Sequence, residues 1–308
     1  MLNRRSNLLM KIISPAINSL TIIVPVYNEA DSLPDFLPEL FALCQEKQWH
    51  LILVDDGSSD DSVQIITKYK YQPNVTIIHH KINRGYGGAL KSGIACSTTS
   101  HILTMDGDGQ HCISDIEPMF NFAIEKEADL VVGNRGRQGI KNPYRNFGKW
   151  IIRNFTKILM PLPIHDLNSG FKLYRTEPAH RYSSICPNSM AFSDVITLTF
   201  ISQKDLVLEY PITILRRKKG KSTIRLATAF DTVMEIINIA LMFNPLRVFL
   251  PISLICILVG IAWGIPFLLL GHGVSIGSML AIVIGLLFFA LGLIASQLAA
   301  IRMGLLNR

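Results

Sequence analysis

The run "HILTMDGDGQHCISD" (His101 to Asp115) passes from four residues that suit a buried strand into a loop holding two aspartates one residue apart, Asp106 and Asp108. Like charges at the edge of a core are costly unless something positive sits between them. A metal ion, a basic partner and plain solvent at a loop tip are the three candidate answers. The segment has a superficial likeness to a calcium loop, with acids at its first, third and twelfth positions. Its sixth position is His111, however, where such a loop needs glycine, and a strand precedes it. A solvated turn stays open at this point, because Asp and Gly are common turn residues.

The strand belongs to a series. Candidates are "LTIIVPV" (Leu20 to Val26), "LILVDD" (Leu51 to Asp56), "VTIIHH" (Val75 to His80), "HILTMD" (His101 to Asp106) and "DLVVGN" (Asp129 to Asn134). Helical patterns begin near Ser32, Asp60, Gly87 and Ser114, the last with Glu117 three residues on, which reads as a capping box. Such alternation predicts an α/β fold with a mostly parallel sheet covered by helices. In these sheets ligands bind beyond the carboxyl ends of the strands. Polar residues collect at four of those ends: Asn28 and Glu29, Asp55 and Asp56, Asp106 and Asp108, and Asn134 and Arg135. Several such sets on one edge mark a site. The D-x-D pair can hold Mg²⁺ or Mn²⁺ through oxygen ligands while leaving positions for phosphate oxygens. Asp55, Asp56 and Asp60 offer acceptors to a base or ribose, with helix capping the competing role for Asp60.

The rest of the chain points to a membrane. Apolar residues make up 49% of the 308 residues and charged ones 17%, and from Val248 to Ile301 there is no Asp, Glu, Lys or Arg. Phe249 to Leu270 and Val274 to Ile301 each exceed the roughly 20 residues a spanning helix needs. The net charge of +7 is uneven, with six basic residues in "LRRKKGKSTIR" (Leu215 to Arg225) just ahead of these segments. The positive-inside rule then puts the first ~245 residues and the C-terminus in the cytoplasm of a two-span integral membrane protein. The N-terminal apolar run is short and broken by Lys11, so a cleaved signal is not expected. Five scattered cysteines fit reduced thiols. The boundaries expected are an N-terminal segment over 1–19, a catalytic domain over 20–222, an interfacial helix and linker over 223–247, and a transmembrane hairpin with a short tail over 248–308.

Two further stretches suit a lipid surface. Arg145, Lys149, Arg153 and Lys157 recur every fourth residue and would line one helix face, suited to anionic headgroups or an acceptor phosphate. The segment Ile224 to Phe243 carries a narrow polar stripe, as an interfacial helix would. Arg135, Arg145 and Lys149 are the residues assigned here to the acceptor phosphate.

"IIVPVYNEAD", "LVDDGSSDDS", "NRGYGGALKSGI", "LTMDGDGQH", "VVGNR", "DLNSGFKLYR" and "RRKKGKST" occur in an order that resembles glycosyltransferase family 2. The run "FNPLRVF" and the two terminal spans look like its polyprenyl-phosphate branch, the branch of dolichyl-phosphate mannose synthase and undecaprenyl-phosphate glucosyltransferases. The resemblance implies a GT-A (Rossmann-like) fold, a UDP- or GDP-linked sugar donor, a divalent cation and an inverting transfer to a polyprenyl phosphate. By motif, Pro25, Tyr27, Glu29 and Asp56 would contact the nucleotide. Asp106, Asp108 and Gln110 would form the Mg²⁺ or Mn²⁺ site, and Asp166 would lie next to the reacting centre. Arg217 would approach the donor diphosphate or acceptor phosphate. Cys112 stands where the family usually has an acid or a proline. The lipid bilayer is an expected partner, a homo-oligomer is compatible, and nucleic acid is not expected. A bacterial inner membrane is the expected location.

A phosphate monoester is already mostly dianionic at neutral pH, so a strong general base is unnecessary and Asp166 would orient groups rather than take a proton. Two other readings stay open: a family 2 enzyme acting on a glycan, and a non-catalytic membrane adaptor. The sequence holds no "Q-x-x-R-W"-type motif between Met190 and Arg225, which counts against a processive polysaccharide synthase.

Overall fold

The computed structural model describes residues 19–136, 164–167, 169–215 and 241–304. Arg145, Lys149 and Arg217, the basic stripe, and residues 224–240 of the interfacial helix lie outside the described residues.

Two units make up the chain. The first is built on a seven-stranded sheet in the order β3-β2-β1-β4-β6-β5-β7. Its strands are β1 (Leu20–Val26), β2 (His50–Asp55), β3 (Val75–His79), β4 (His101–Thr104), β5 (Leu130–Asn134), β6 (Lys172–Arg175) and β7 (Val207–Pro211). β1 is buried along its whole length, which is why it reads as a near-continuous apolar run. Leu20, Ile22, Val24 and Val26 all point into one apolar layer. There they meet Leu33, Phe36, Leu37 and Leu40 of α1 (Leu33–Lys47) and Ile116, Met119 and Phe120 of α4 (Ile116–Glu125). The opposite face is covered by α3 (Tyr86–Cys96), with α5 (Thr176–Ser183) and α6 (Phe192–Ser202) packed beside it. A short α2 (Ser62–Thr67) follows β2.

The five predicted strands are all present, with ends moved by at most two residues, and β6 and β7 add to them. The capping box is not formed. Ile113–Asp115 is a 3₁₀ turn, Ser114 Oγ lies 3.1 Å from Cys112 Sγ, and Glu117 pairs with Lys47 at 2.8 Å. The tighter entry turn takes Ser114 out of register with the N–H groups it would cap.

Topology decides where a site can form. The chain runs outward from β1 through β2 to β3, then returns to place β4 on the other side of β1. The strand order reverses there, and at such a switch point the loops after two neighbouring strands diverge and leave a crevice. Pro25 lies in β1 beyond Ile23, the last β1 residue opposite β4, so its missing N–H costs no ladder bond on that side. β6 runs antiparallel to both β4 and β5. An antiparallel strand enters the sheet at the edge where its neighbours leave it, so residues 164–170 arrive beside the loop after β4.

The second unit holds a pair of long helices, α7 (Pro245–Leu269) and α8 (Ile276–Gly304). At about 1.5 Å per residue each exceeds the roughly 30 Å hydrocarbon core of a bilayer. Both are long and apolar enough to cross a membrane, and they pack on each other. Their buried positions are mostly small, Ser253, Gly260, Ser278, Gly285 and Gly292, the residue types that let spanning helices approach closely.

Candidate active site

The loops after β1 and β2 are laced together. The Asn28 N–H donates to Ser58 Oγ (3.1 Å), the Ser59 N–H to Asn28 Oδ1 (2.8 Å), and the Glu29 N–H to Ser62 Oγ (2.8 Å). Asp60 accepts from the N–H groups of Ala30 and Ser62, both at 3.0 Å, so its carboxylate joins the two loops and starts α2. Tyr27 stands out of this frame, 49% exposed. Asp56 lies behind it and is buried: its carboxylate takes the N–H groups of Arg84 (2.9 Å) and Gly85 (2.8 Å) and meets His80 Nδ1 at 2.6 Å.

Asp106 sits at the end of β4, with each carboxylate oxygen holding one neighbour. The Tyr86 hydroxyl donates to Oδ1 (2.9 Å) and His111 Nε2 lies 3.3 Å from Oδ2. Burial alone would raise its pKa, but His111, Tyr86 and the nearby Arg135 charge together hold it below the usual carboxylate value. Asp108 Oδ1 accepts the Gln110 N–H at 3.1 Å, which folds the D-x-D-x-Q turn on itself. Two glycines are required by close approach. A Cβ on Gly107 would come 2.8 Å from the Pro25 carbonyl oxygen, and one on Gly170 would come 2.5 Å from both oxygens of Asp106.

Asp166 reaches the same edge on the loop before β6. Arg135 grips it through one guanidinium edge, Nε to Oδ2 and Nη2 to Oδ1 at 2.7 Å each. Burial pushes the Asp166 pKa up, yet the Arg135 bonds and charge outweigh it and keep the carboxyl below its ordinary value. A carboxylate so engaged is a poor base and a good orienting group. Glu209 on β7 holds the loop from beneath: it accepts the N–H groups of His165 and Asp166 and the Asn134 side-chain amide (3.0 Å).

The glycosyl transferase family 2 model matches residues 21–183, which contain all of these loops except the Glu209 support, and the GtrB C-terminal hairpin model matches residues 244–301. The chain belongs to glycosyl transferase family 2. A dolichyl-phosphate beta-glucosyltransferase of Dictyostelium discoideum is 30% identical over 60% of this chain and 62% of its own length. A polyprenol monophosphomannose synthase of Mycolicibacterium smegmatis is 28% identical over 65% of this chain and 79% of its own. An undecaprenyl-phosphate 4-deoxy-4-formamido-L-arabinose transferase of Klebsiella pneumoniae is 25% identical over 93% of this chain and 90% of its own. The fold is shared with glucosyl-3-phosphoglycerate synthase of Mycobacterium tuberculosis, at 13% identity and a TM-score of 0.55. That match covers 72% of this chain and 78% of the synthase, which was crystallised with Mn²⁺, UDP and phosphoglyceric acid. The sheet and its helices therefore form a GT-A-like domain, followed by the two span-length helices.

For this family 2 enzyme the structure gathers Pro25, near the end of β1, with Tyr27, Glu29, Asp106, Asp108, Gln110, Arg135 and Asp166 of the adjoining loops at the carboxyl edge of one sheet. Sequence reasoning missed Tyr86, His111, Gly170 and Glu209 as parts of the site. Tyr86, His111 and Gly170 lay inside motifs already quoted, but nothing in the spacing tells which carboxylate they approach. Among the described residues no group of three His, Cys, Asp or Glu converges as a self-sufficient metal cage. The oxygen donors of Asp106, Asp108 and Gln110 nonetheless fit a hard divalent cation that completes its shell with phosphate oxygens. The Tyr86 hydroxyl and His111 each meet a different Asp106 oxygen, and a carboxylate oxygen carries two lone pairs, so each has one to offer a cation.

Gly170→Ala offers a sharp local check. The added methyl would displace the Asp106 carboxylate, so transfer should fall by about 100-fold with the fold retained, since misplacement of about 1 Å can cost that much. Activity measured alongside a thermal melt decides it, and a fully active, stable variant would show that Asp106 need not sit where it does.

Proposed function

We propose that the protein transfers a sugar from a UDP- or GDP-linked donor to a polyprenyl phosphate, with inversion, producing a lipid-linked monosaccharide at the cytoplasmic face of a membrane. The observation that carries this reading is the joining, in one chain, of strand-end acids at a switch point with a pair of span-length helices. The names of the three relatives, all polyprenyl-phosphate sugar transferases or synthases, support it. In this account residues 20–222 catalyse, 223–247 lie in the interface, and 248–308 anchor the enzyme in a bacterial inner membrane.

Tyr27 and Glu29 face the nucleotide, while Asp56 acts on it through the Arg84–Gly85 turn that it holds. Asp106, Asp108 and Gln110 would hold Mg²⁺ or Mn²⁺, which would supply positive charge to offset the diphosphate leaving group. One phosphate oxygen of the lipid attacks the anomeric carbon as the bond from that carbon to the nucleoside diphosphate breaks. Because the attacking phosphate is already an anion, no proton has to be removed. Arg135, fixed by Asp166, presents its remaining guanidinium donors to that phosphate; from the sequence, Arg145 and Lys149 are assigned to the acceptor phosphate and Arg217 to the donor diphosphate or acceptor phosphate. A polyprenyl phosphate keeps its anion at headgroup depth while its tail stays in the bilayer, a position to which an anchored domain is restricted and a soluble acceptor is not.

The test uses the detergent-solubilised full chain, undecaprenyl phosphate and a panel of nucleotide sugars. The expected result is a chloroform-extractable sugar lipid from one donor, dependent on added lipid and on Mg²⁺ or Mn²⁺. Robust transfer to water-soluble glycans, with none to polyprenyl phosphate, would replace this reading by the glycan-acceptor one.

A further inference from the structure

Lys172 lies inside the run "DLNSGFKLYR", yet the reaction above gives it no role. It is the first residue of β6 and is fully buried. Its ammonium donates to the Leu167 carbonyl (2.9 Å), to the hydroxyls of Ser193 and Thr197 (2.7 Å each) and to the Ser193 carbonyl. The Ser193 hydroxyl in turn donates to the Ser169 carbonyl at 2.8 Å. The described residues just ahead of β6 are therefore gripped from both sides of Asp166. Glu209 takes the N–H groups of His165 and Asp166, and Lys172 takes the carbonyl of Leu167 directly and that of Ser169 through Ser193. Opposite charges on opposite peptide dipoles fix the segment more firmly than either could alone.

We propose that Lys172 is a positioning residue for the transfer reaction, holding the 166–170 loop so that Asp166 meets Arg135 and Gly170 closes against Asp106. The role rests on the polyprenyl-phosphate transfer reading. A buried lysine is an expensive device for bracing a loop when an apolar side chain would fill the same space. What the ammonium adds is a cation beside Asp166, and that charge favours the Asp166 carboxylate. The charged and titratable groups around Lys172 are Asp194 of α6, Asp166, Arg135 and Cys186. Burial pulls its pKa below that of an ordinary lysine, so the cation is lost at a lower pH than in solvent.

The experiment measures kcat and donor KM of the full-length protein in detergent from neutral to strongly alkaline pH, with Lys172→Met, Lys172→Arg and Ser193→Ala beside the wild type. Wild-type kcat should fall on the alkaline side, below the ordinary lysine range. Lys172→Met should lose kcat by about 100-fold with donor KM little changed, as expected of a misplaced reacting group. Lys172→Arg should recover part of that kcat and move the alkaline fall upward, because a guanidinium stays charged. Should either Lys172 variant not fold, Ser193→Ala, which cuts the link to Ser169, must lower kcat without raising donor KM. Wild-type kcat per folded molecule in Lys172→Met, an unmoved alkaline fall in Lys172→Arg, or unchanged kcat in Ser193→Ala overturns the role alone. A wild-type protein that makes no sugar lipid overturns the functional reading and this role with it.

Discussion

Asp106→Asn should abolish sugar transfer while leaving the protein folded, with a loss of at least about 1,000-fold, or about 4 kcal/mol of transition-state stabilisation. The substitution keeps the size of the side chain and removes the charge on which cation binding depends. It also places an amide NH₂ next to either the Tyr86 hydroxyl or His111 Nε2, both of which now face a carboxylate oxygen. The packing against Gly170 survives, so folding should too. Asp108→Asn should behave alike. Titration of UDP or GDP with and without Mn²⁺ provides the second readout: the cation-dependent part of nucleotide binding should vanish in both variants. Full activity in either one would mean that the D-x-D pair is a solvated turn.

The second large effect is expected at Arg135. Arg135→Ala removes the fork that grips Asp166 and leaves that carboxylate half-buried without its partner. Transfer should drop by about 100-fold or more, chiefly in the acceptor term, since geometry and phosphate contact are lost together. Arg135→Lys keeps the charge but not the two-pronged geometry and should fall between. Because the two side chains act as a unit, Arg135→Ala with Asp166→Ala should cost little more than the worse single change. Strictly additive losses would show that Asp166 and Arg135 act separately and that Asp166 has a role of its own, such as proton removal.

How much of this was legible beforehand follows from burial. β1 to β5 are short apolar runs because each pairs parallel with at least one neighbour and all but the edge strand β3 are largely buried, and apolar continuity is the signal that survives in a sequence. β6 escaped because "KLYR" places a lysine where a core residue belongs; it is buried because four oxygens meet its ammonium, and those oxygens come from residues 167, 193 and 197. β7 escaped likewise, its Glu209 being a polar residue that supports a loop more than 40 positions earlier in the chain. The acids at Asp106 and Asp108 were readable because a strand end is a local feature. Their neighbours were not, since Tyr86, His111 and Gly170 meet Asp106 only once the chain is folded, Gly170 through the antiparallel insertion of β6. Asp56 shows the converse: the motif marked it as important, while the structure spends its carboxylate on the turn at Arg84 and Gly85.

The most direct test of the central claim is the identity of both products of a single reaction with undecaprenyl phosphate and the preferred nucleotide sugar. Attack of the lipid phosphate on the anomeric carbon leaves one phosphate between lipid and sugar and releases a nucleoside diphosphate. The account predicts a lipid whose mass corresponds to a monophosphate-linked hexose, formed in equal amount to UDP or GDP. A diphosphate-linked lipid accompanied by a nucleoside monophosphate would place the attack on phosphorus instead of carbon and contradict it.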